Sequence, residues 1–329
     1  MKVLITGATG FIGSRLAETC KARGFDVVAL GQENNDVERG RNANLRRVGV
    51  TVASLDLGSD AALGAQLVGV DVVFHLAAAQ HEMNKPDSHF WAINVEGTRR
   101  LLEASVAAGV RRFVHGSTIG VYGVPKVAVI DETTALDPDN IYGVTKRAGE
   151  QLVLENGSRL PVTVVRISET YGPGDRRLLK LFRSIKARKF FLIGGCENIH
   201  QPIYVDDLVG VLLLAAESKA AVGDVFVAPG AERLTTEQMC REIASALDTT
   251  LPRLRVPMFP MLLASVVLEK TLRPIGIQPP LHTRRLDFFR KNLAFSDAKL
   301  GTVLGFKPAV TFARGARETA RWYREQGLM

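Results

Sequence analysis

The chain has 329 residues, 46% hydrophobic and 23% charged, with 30 glycines and 14 prolines. This near-average usage excludes a collagen-like or disordered chain and leaves room for about two domain-sized units with a large core. Forty-two Lys and Arg against 34 Asp and Glu give a net charge of +8, which suits an anionic substrate, an acidic lipid surface or nucleic acid without choosing among them.

Met1-Lys2 runs into Val3-Leu4-Ile5, an apolar run that stops at Thr6-Gly7, so no secretory signal pattern is present. From there to Tyr171-Gly172-Pro173-Gly174, short β-branched runs alternate with helical stretches, the pattern of βαβ units. Strands are predicted at Lys2 to Thr6, Asp26 to Leu30, Val50 to Ser54, Val70 to Leu76, Arg112 to Gly116 and Val162 to Ile167. A helix from Phe11 to Arg23 stops at Gly24, and a long one from near Pro86 carries Leu101, Leu102, Ala104 and Ala108 before Gly109. The fold class is therefore α/β, a doubly wound parallel sheet with a smaller C-terminal α/β substrate region. The expected division is 1–168 with about 203–228 for the parallel-sheet domain, and 169–202 with 229–329 for the substrate region.

Cys20, Cys196 and Cys240 form no C-x-x-C pair and no disulfide framework, which points to a reducing, cytoplasmic setting. The six His are dispersed with no H-E-x-x-H, so no metal site is expected, and His75 and His115, at strand ends, are expected to be packed or hydrogen-bonded. No nucleic-acid recognition motif accompanies the basic charge. The apolar run Val256 to Leu268 contains Pro257 and Pro260. It falls short of the roughly 18 to 20 residues that span a bilayer, so no integral membrane segment is expected.

Gly7-Ala8-Thr9-Gly10-Phe11-Ile12-Gly13 follows the first strand and opens a helix, where bare N–H groups and the helix dipole can meet a pyrophosphate. Tyr142-Gly143-Val144-Thr145-Lys146 places a phenol and an ammonium one helical turn apart on one face. A phenol must drop by about 3 pH units to serve as a base near neutrality, and a neighbouring cation works in that direction.

With these motifs in this order, the chain resembles the extended short-chain dehydrogenase/reductases, of the NAD-dependent epimerase/dehydratase kind, and with them a Rossmann-type fold. The resemblance also rests on Phe74-His75-Leu76-Ala77-Ala78, Asn94-Val95-Glu96-Gly97-Thr98, Val121-Tyr122-Gly123, Tyr204-Val205-Asp206-Asp207-Leu208 and the stretch from Lys299 to Trp322-Tyr323. It implies Tyr142 as catalytic acid/base and Lys146 as the group that holds the nicotinamide ribose and lowers the phenol's pKa. Thr118, four residues before Tyr122, would bond the reacting oxygen, with Ser117 as the neighbouring candidate. NAD or NADP would contact Gly7, Thr9, Gly10, Phe11, Ile12, Gly13, Asp56, Leu57, Leu76, Ala77, Ala78 and Asn94. A homodimer through the helices near Pro86 and Tyr142 is a further implication.

Where NAD-preferring relatives end the second strand in Asp, this chain has Leu30-Gly31-Gln32-Glu33, which leaves NAD and NADP both open. Asp in place of Gly31 is expected to shift the choice toward NAD, and Arg39 and Arg41 would reach a 2′-phosphate only from a folded-back loop. For the substrate, Glu169 stands where relatives often carry Asn and His200 where they carry a diphosphate-clamping Arg, which weakens a nucleotide-sugar assignment. Arg285 and a basic helix from Arg176 to Lys189 could compensate. The expected activity is NAD(P)-dependent hydride transfer at a secondary alcohol or ketone of a sugar or nucleotide sugar, with a 3β-hydroxysteroid or dihydroflavonol-type reductase as the alternative. A non-catalytic cofactor sensor is disfavoured by the presence of both Tyr142 and Lys146, and a peripheral-membrane role for the basic, apolar C-terminal region is an additional expectation.

Overall fold

The structure is a computed structural model that describes residues 1–54, 60–80, 85–252, 254–272 and 283–329. In chain order the first half comprises β1 (Lys2–Thr6), α1 (Phe11–Ala22), β2 (Asp26–Gly31), α2 (Asp36–Arg47), β3 (Thr51–Ser54), α3 (Asp60–Gln66) and β4 (Val72–His75). It continues through α4 (Asp87–Trp91), one π-helical turn (Ala92–Glu96), α5 (Gly97–Ala107), β5 (Arg112–Thr118), α6 (Ile141–Glu155) and β6 (Val162–Ile167). The second half holds β7 (Thr170–Tyr171), α7 (Leu179–Lys186), β8 (Leu192–Ile193), β9 (Ile199–His200), β10 (Ile203–Tyr204), α8 (Val205–Glu217) and β11 (Val225–Ala228). It closes with β12 (Leu234–Thr235), α9 (Thr236–Ala246), β13 (Arg255–Val256), α10 (Met258–Leu272), α11 (Thr283–Leu286), α12 (Ala298–Leu304) and α13 (Phe312–Glu325).

Seven parallel strands form the central sheet in the order β11-β6-β5-β4-β1-β2-β3. Their near-continuous apolar runs follow from burial on both faces: Val3, Leu4 and Ile5 are fully buried. The doubly wound expectation is met, and β11 joins the predicted strands at the edge beside β6. The predicted strand from Val70 to Leu76 stops at His75 because Thr6 Oγ1 accepts the N–H groups of Leu76 and Ala77, each at 3.1 Å. The order reverses at β1, between β4 and β2, so the loops after these strands open a crevice at their C-terminal ends.

A second apolar cluster joins Phe182 and Ile185 of α7, Met239 and Ile243 of α9, and Phe312, Ala316 and Tyr323 of α13. The basic stretch is not one helix: α7 spans only Leu179–Lys186, with Arg176 and Arg177 before it and Arg188 and Lys189 beyond its end.

Candidate active site

Three glycines shape the turn after β1 by exclusion. A Cβ on Gly7 would lie 2.8 Å from Ala77 N, one on Gly10 2.9 Å from Gly7 O, and one on Gly13 2.2 Å from Gly7 O. Gly7 also sits at φ 68°, which side-chain-bearing residues rarely adopt. Helix α1 starts at Gly10 without a side-chain cap, so its first N–H groups are available to an anionic ligand. This cradle fits a dinucleotide pyrophosphate. It forms the floor of a 580 Å³ cleft whose lining includes Gly7, Thr9, Gly10, Phe11, Ile12 and Gly13. Leu76, Ala77 and Ala78 form one wall of the cleft, as expected. Asp56 and Leu57 lie outside the described residues.

That wall is held by a buried hydrogen-bond chain. Thr6 Oγ1, already accepting two N–H groups, gives its proton to His75 Nδ1 at 2.8 Å. Thr98 Oγ1 donates to Asn94 O, so His75 Nε2–H donates to Thr98 at 2.9 Å and the imidazole is one neutral tautomer. Burial pushes its pKa down to about 3. Asn94 departs from its expected place. Its amide accepts Ala79 N–H at 2.8 Å and donates to Ala79 O and to Thr145 Oγ1, so it fastens the wall to α6 from behind while Ile93 borders the cleft.

Tyr142 and Lys146 lie in the first two turns of α6, whose start is capped by Asn140 accepting Gly143 N–H at 3.0 Å. A Cβ on Gly143 would lie 2.6 Å from Gly120 O, so glycine lets the helix close on the loop after β5. Thr118 Oγ1 accepts Gly120 N–H at 3.1 Å, and its hydroxyl is hydrogen-bonded to Tyr142. Ser117 instead donates to Glu150 Oε2 at 2.6 Å, in a buried group where Arg166 contacts the same carboxylate at 2.6 Å. Its side chain is thereby committed to the interior, which favours Thr118 as the oxygen-binding group.

Lys146 is buried and donates to Gly116 O at 2.6 Å, with His115 Nε2 at 3.4 Å. Burial lowers its pKa to about 8. Burial also raises the Tyr142 phenol above its ordinary value, opposed by the Thr118 hydrogen bond and by Arg177. The charge that opposes burial at the phenol is the Arg177 guanidinium, while the Lys146 ammonium donates to the Gly116 carbonyl.

At the far end of the cleft, a Cβ on Gly31 would lie 2.6 Å from the Thr9 side chain and 2.9 Å from Thr9 N. The expected Gly31→Asp switch is therefore sterically blocked. Gly31→Asp should weaken NAD and NADP together, whereas Gln32→Asp, on the cleft lining, should move preference toward NAD. Wild type should discriminate by less than about 1000-fold, and titration of both dinucleotides against the three proteins checks all three statements. Arg41 donates to Thr9 O at 3.2 Å and Gly174 O at 2.7 Å, and Arg39 to Glu33 O and Asp36.

At the substrate end, Glu169 and His200 form one pair: His200 Nδ1 stands 3.1 Å from Glu169 Oε2. His200 is buried, with Nε2 beside Thr236 Oγ1 and Phe288 O, while the Glu169 side chain is 43% exposed in the cleft. The pairing raises the His200 pKa against its burial and lowers that of Glu169. His200 therefore steers Glu169 and does not reach the cleft lining, and Arg285, exposed on α11, is not among the lining residues. Arg177 is among them, braced by Asp175 Oδ1 at 3.3 Å. Only its membership of the basic stretch was visible in the sequence.

A model of the NAD dependent epimerase/dehydratase family matches residues 3–228. The chain is 26% identical to the N-acetyl-alpha-D-glucosaminyl-diphospho-ditrans,octacis-undecaprenol 4-epimerase of Escherichia coli O157:H7, covering 97% of this chain and 94% of that one. It is 29% identical to sterol demethylase protein B of Methylococcus capsulatus (strain ATCC 33009 / NCIMB 11132 / Bath), over 100% of both. The solved structure of MoeE5 in complex with UDP-glucose and NAD superposes with a TM-score of 0.76 at 25% identity, covering 99% of each chain.

Proposed function

The chain belongs to the NAD dependent epimerase/dehydratase family, and on that premise we propose that it transfers hydride at a secondary alcohol or ketone carried on an apolar, isoprenoid-type molecule, a sterol in preference to a lipid-linked sugar. The observation that supports the transfer is Tyr142 hydrogen-bonded to Thr118 over buried Lys146, beside the glycine cradle. NAD or NADP supplies the hydride acceptor for oxidation and the donor for reduction. The Gly7–Gly13 turn and the Leu76–Ala78 wall would hold it, with Lys146 at the nicotinamide ribose. Tyr142 takes the hydroxyl proton as the alcohol becomes a carbonyl and returns it in the reverse direction. Thr118 keeps the reacting oxygen within reach of the phenol, and Arg177 favours the phenolate.

The Glu169–His200 pair supports this substrate class. An ionised carboxylate facing the cleft repels a diphosphate unless a cation offsets it, and His200, buried behind it, offers no bidentate clamp. The two curated relatives named above carry a sterol and an undecaprenol-linked diphospho-sugar in their names, both isoprenoid lipids, of which the sterol alone lacks the diphosphate. The decisive measurement is NAD(P)H formation with a 3β-hydroxysteroid beside calorimetry with UDP-glucose. Steroid-dependent turnover is expected, with UDP-glucose binding at roughly 0.1 mM or weaker. Micromolar UDP-glucose binding with no steroid turnover would restore a nucleotide-sugar epimerase, a reading that Arg177 in the cleft favours.

A further inference from the structure

Helix α10 (Met258–Leu272) turns an apolar stripe toward solvent. Phe259 is 76% exposed, Leu263 57%, Val266 38% and Val267 50%, a spacing of i, i+4, i+7 and i+8 that places them on one face. On the opposite side Ser265 is buried and Leu262 and Leu268 are half-buried, so the helix is apolar on both its inner and its outer face. Leu254, 61% exposed, lies just ahead of the helix.

The N-terminal end of this helix adjoins a basic cavity. Met258 packs over Gly194, and Arg255, which precedes α10, lines an 840 Å³ cavity with Arg188 and Arg241. Glu237 pairs with both Arg241 and Arg255 and offsets one charge, so the cavity stays positive. Exposed Lys186 and Lys189 lie close to Arg188 in sequence and add to the positive charge of this segment.

We propose that this face docks on an anionic lipid bilayer, with the Phe259–Val267 stripe in the acyl boundary and the arginine cavity on phosphodiester headgroups. Apolar residues beside clustered cations complement the two layers of such a surface, whereas a water-facing stripe alone matches neither. Fifteen helical residues reach about 22 Å at about 1.5 Å each, against a hydrocarbon core of about 30 Å, so α10 lies in the plane of the interface. Consistently, among the described residues no helix is long and apolar enough to cross a membrane.

The test is co-sedimentation of the full chain with vesicles of phosphatidylcholine alone, or of equal parts phosphatidylcholine and phosphatidylglycerol. It needs neither substrate nor cofactor, so it is decided separately from the substrate reading above. Wild type should partition at least about ten-fold better onto the anionic vesicles. The double variant Phe259→Glu, Leu263→Glu should lose about ten-fold or more on them, and Arg188→Glu should weaken anionic binding only. These side chains are exposed, so thermal midpoint and dinucleotide affinity should stay at wild-type values. The proposal fails if wild type ignores anionic vesicles or if the double variant binds them as well as wild type. It also fails if the double variant only converts a self-associated species to a smaller one on sedimentation, which would make a second copy the occupant.

Discussion

Replacing Tyr142 by Phe is expected to cut turnover by about 100-fold or more, close to 2.7 kcal/mol of transition-state stabilisation, while dinucleotide affinity survives. The substitution removes one oxygen from a buried ring whose hydroxyl is hydrogen-bonded to Thr118, and it leaves the glycine cradle untouched. Lys146→Ala should instead damage both turnover and affinity, because its ammonium is anchored on Gly116 O within the cleft. Steady-state kinetics with dinucleotide titration separates the two patterns. Turnover of Tyr142→Phe within a few-fold of wild type would remove the phenol from the mechanism.

Glu150→Ala carries the largest expected cost in stability, about 3–5 kcal/mol. Arg166 and Glu150 side chains are 6% and 3% exposed, with Arg166 Nε and Nη2 on the carboxylate and Nη1 on Tyr122 Oη at 2.7 Å. Removing the carboxylate strands a guanidinium in the interior and leaves Ser117 without its acceptor. The joint change Glu150→Met, Arg166→Met should recover much of the loss, since neither charge is then left alone. Urea unfolding of the three proteins measures this. A single-variant loss under about 1 kcal/mol would mean that water reaches Arg166 when its partner is removed.

The sheet was readable because parallel strands buried on both faces leave unbroken β-branched runs, as in Lys2–Thr6 and Val162–Ile167. The cradle was readable because its glycines are neighbours in sequence. What escaped depends on partners distant along the chain. The Glu169–His200 contact joins residues 31 apart, and Ser117 meets Glu150 at a separation of 33. No local periodicity marks either pairing. Gly31 was legible as a missing carboxylate and illegible as a site where Thr9 leaves no room, because their proximity exists only after β1 and β2 have paired. Asn94 looked like a cleft residue because of the segment it belongs to, while the direction of its amide is set by the π-helical turn.

That turn makes the helix between Asp87 and Ala107 sensitive to its length. An ordinary helix advances about 100° per residue, so the extra residue in Ala92–Glu96 is an angular offset of that size between its two ends. With one residue discounted, Phe90 falls in phase with Thr98, Leu102 and Ser105, all buried. Deleting a single codon within 92–96 would leave a regular helix whose first segment has been rotated, swinging Phe90 out of the interior. In an alignment of related chains, a one-residue gap at this place therefore corresponds to a rotation, and it should be accompanied by compensating changes on two faces of Asp87–Trp91 at once.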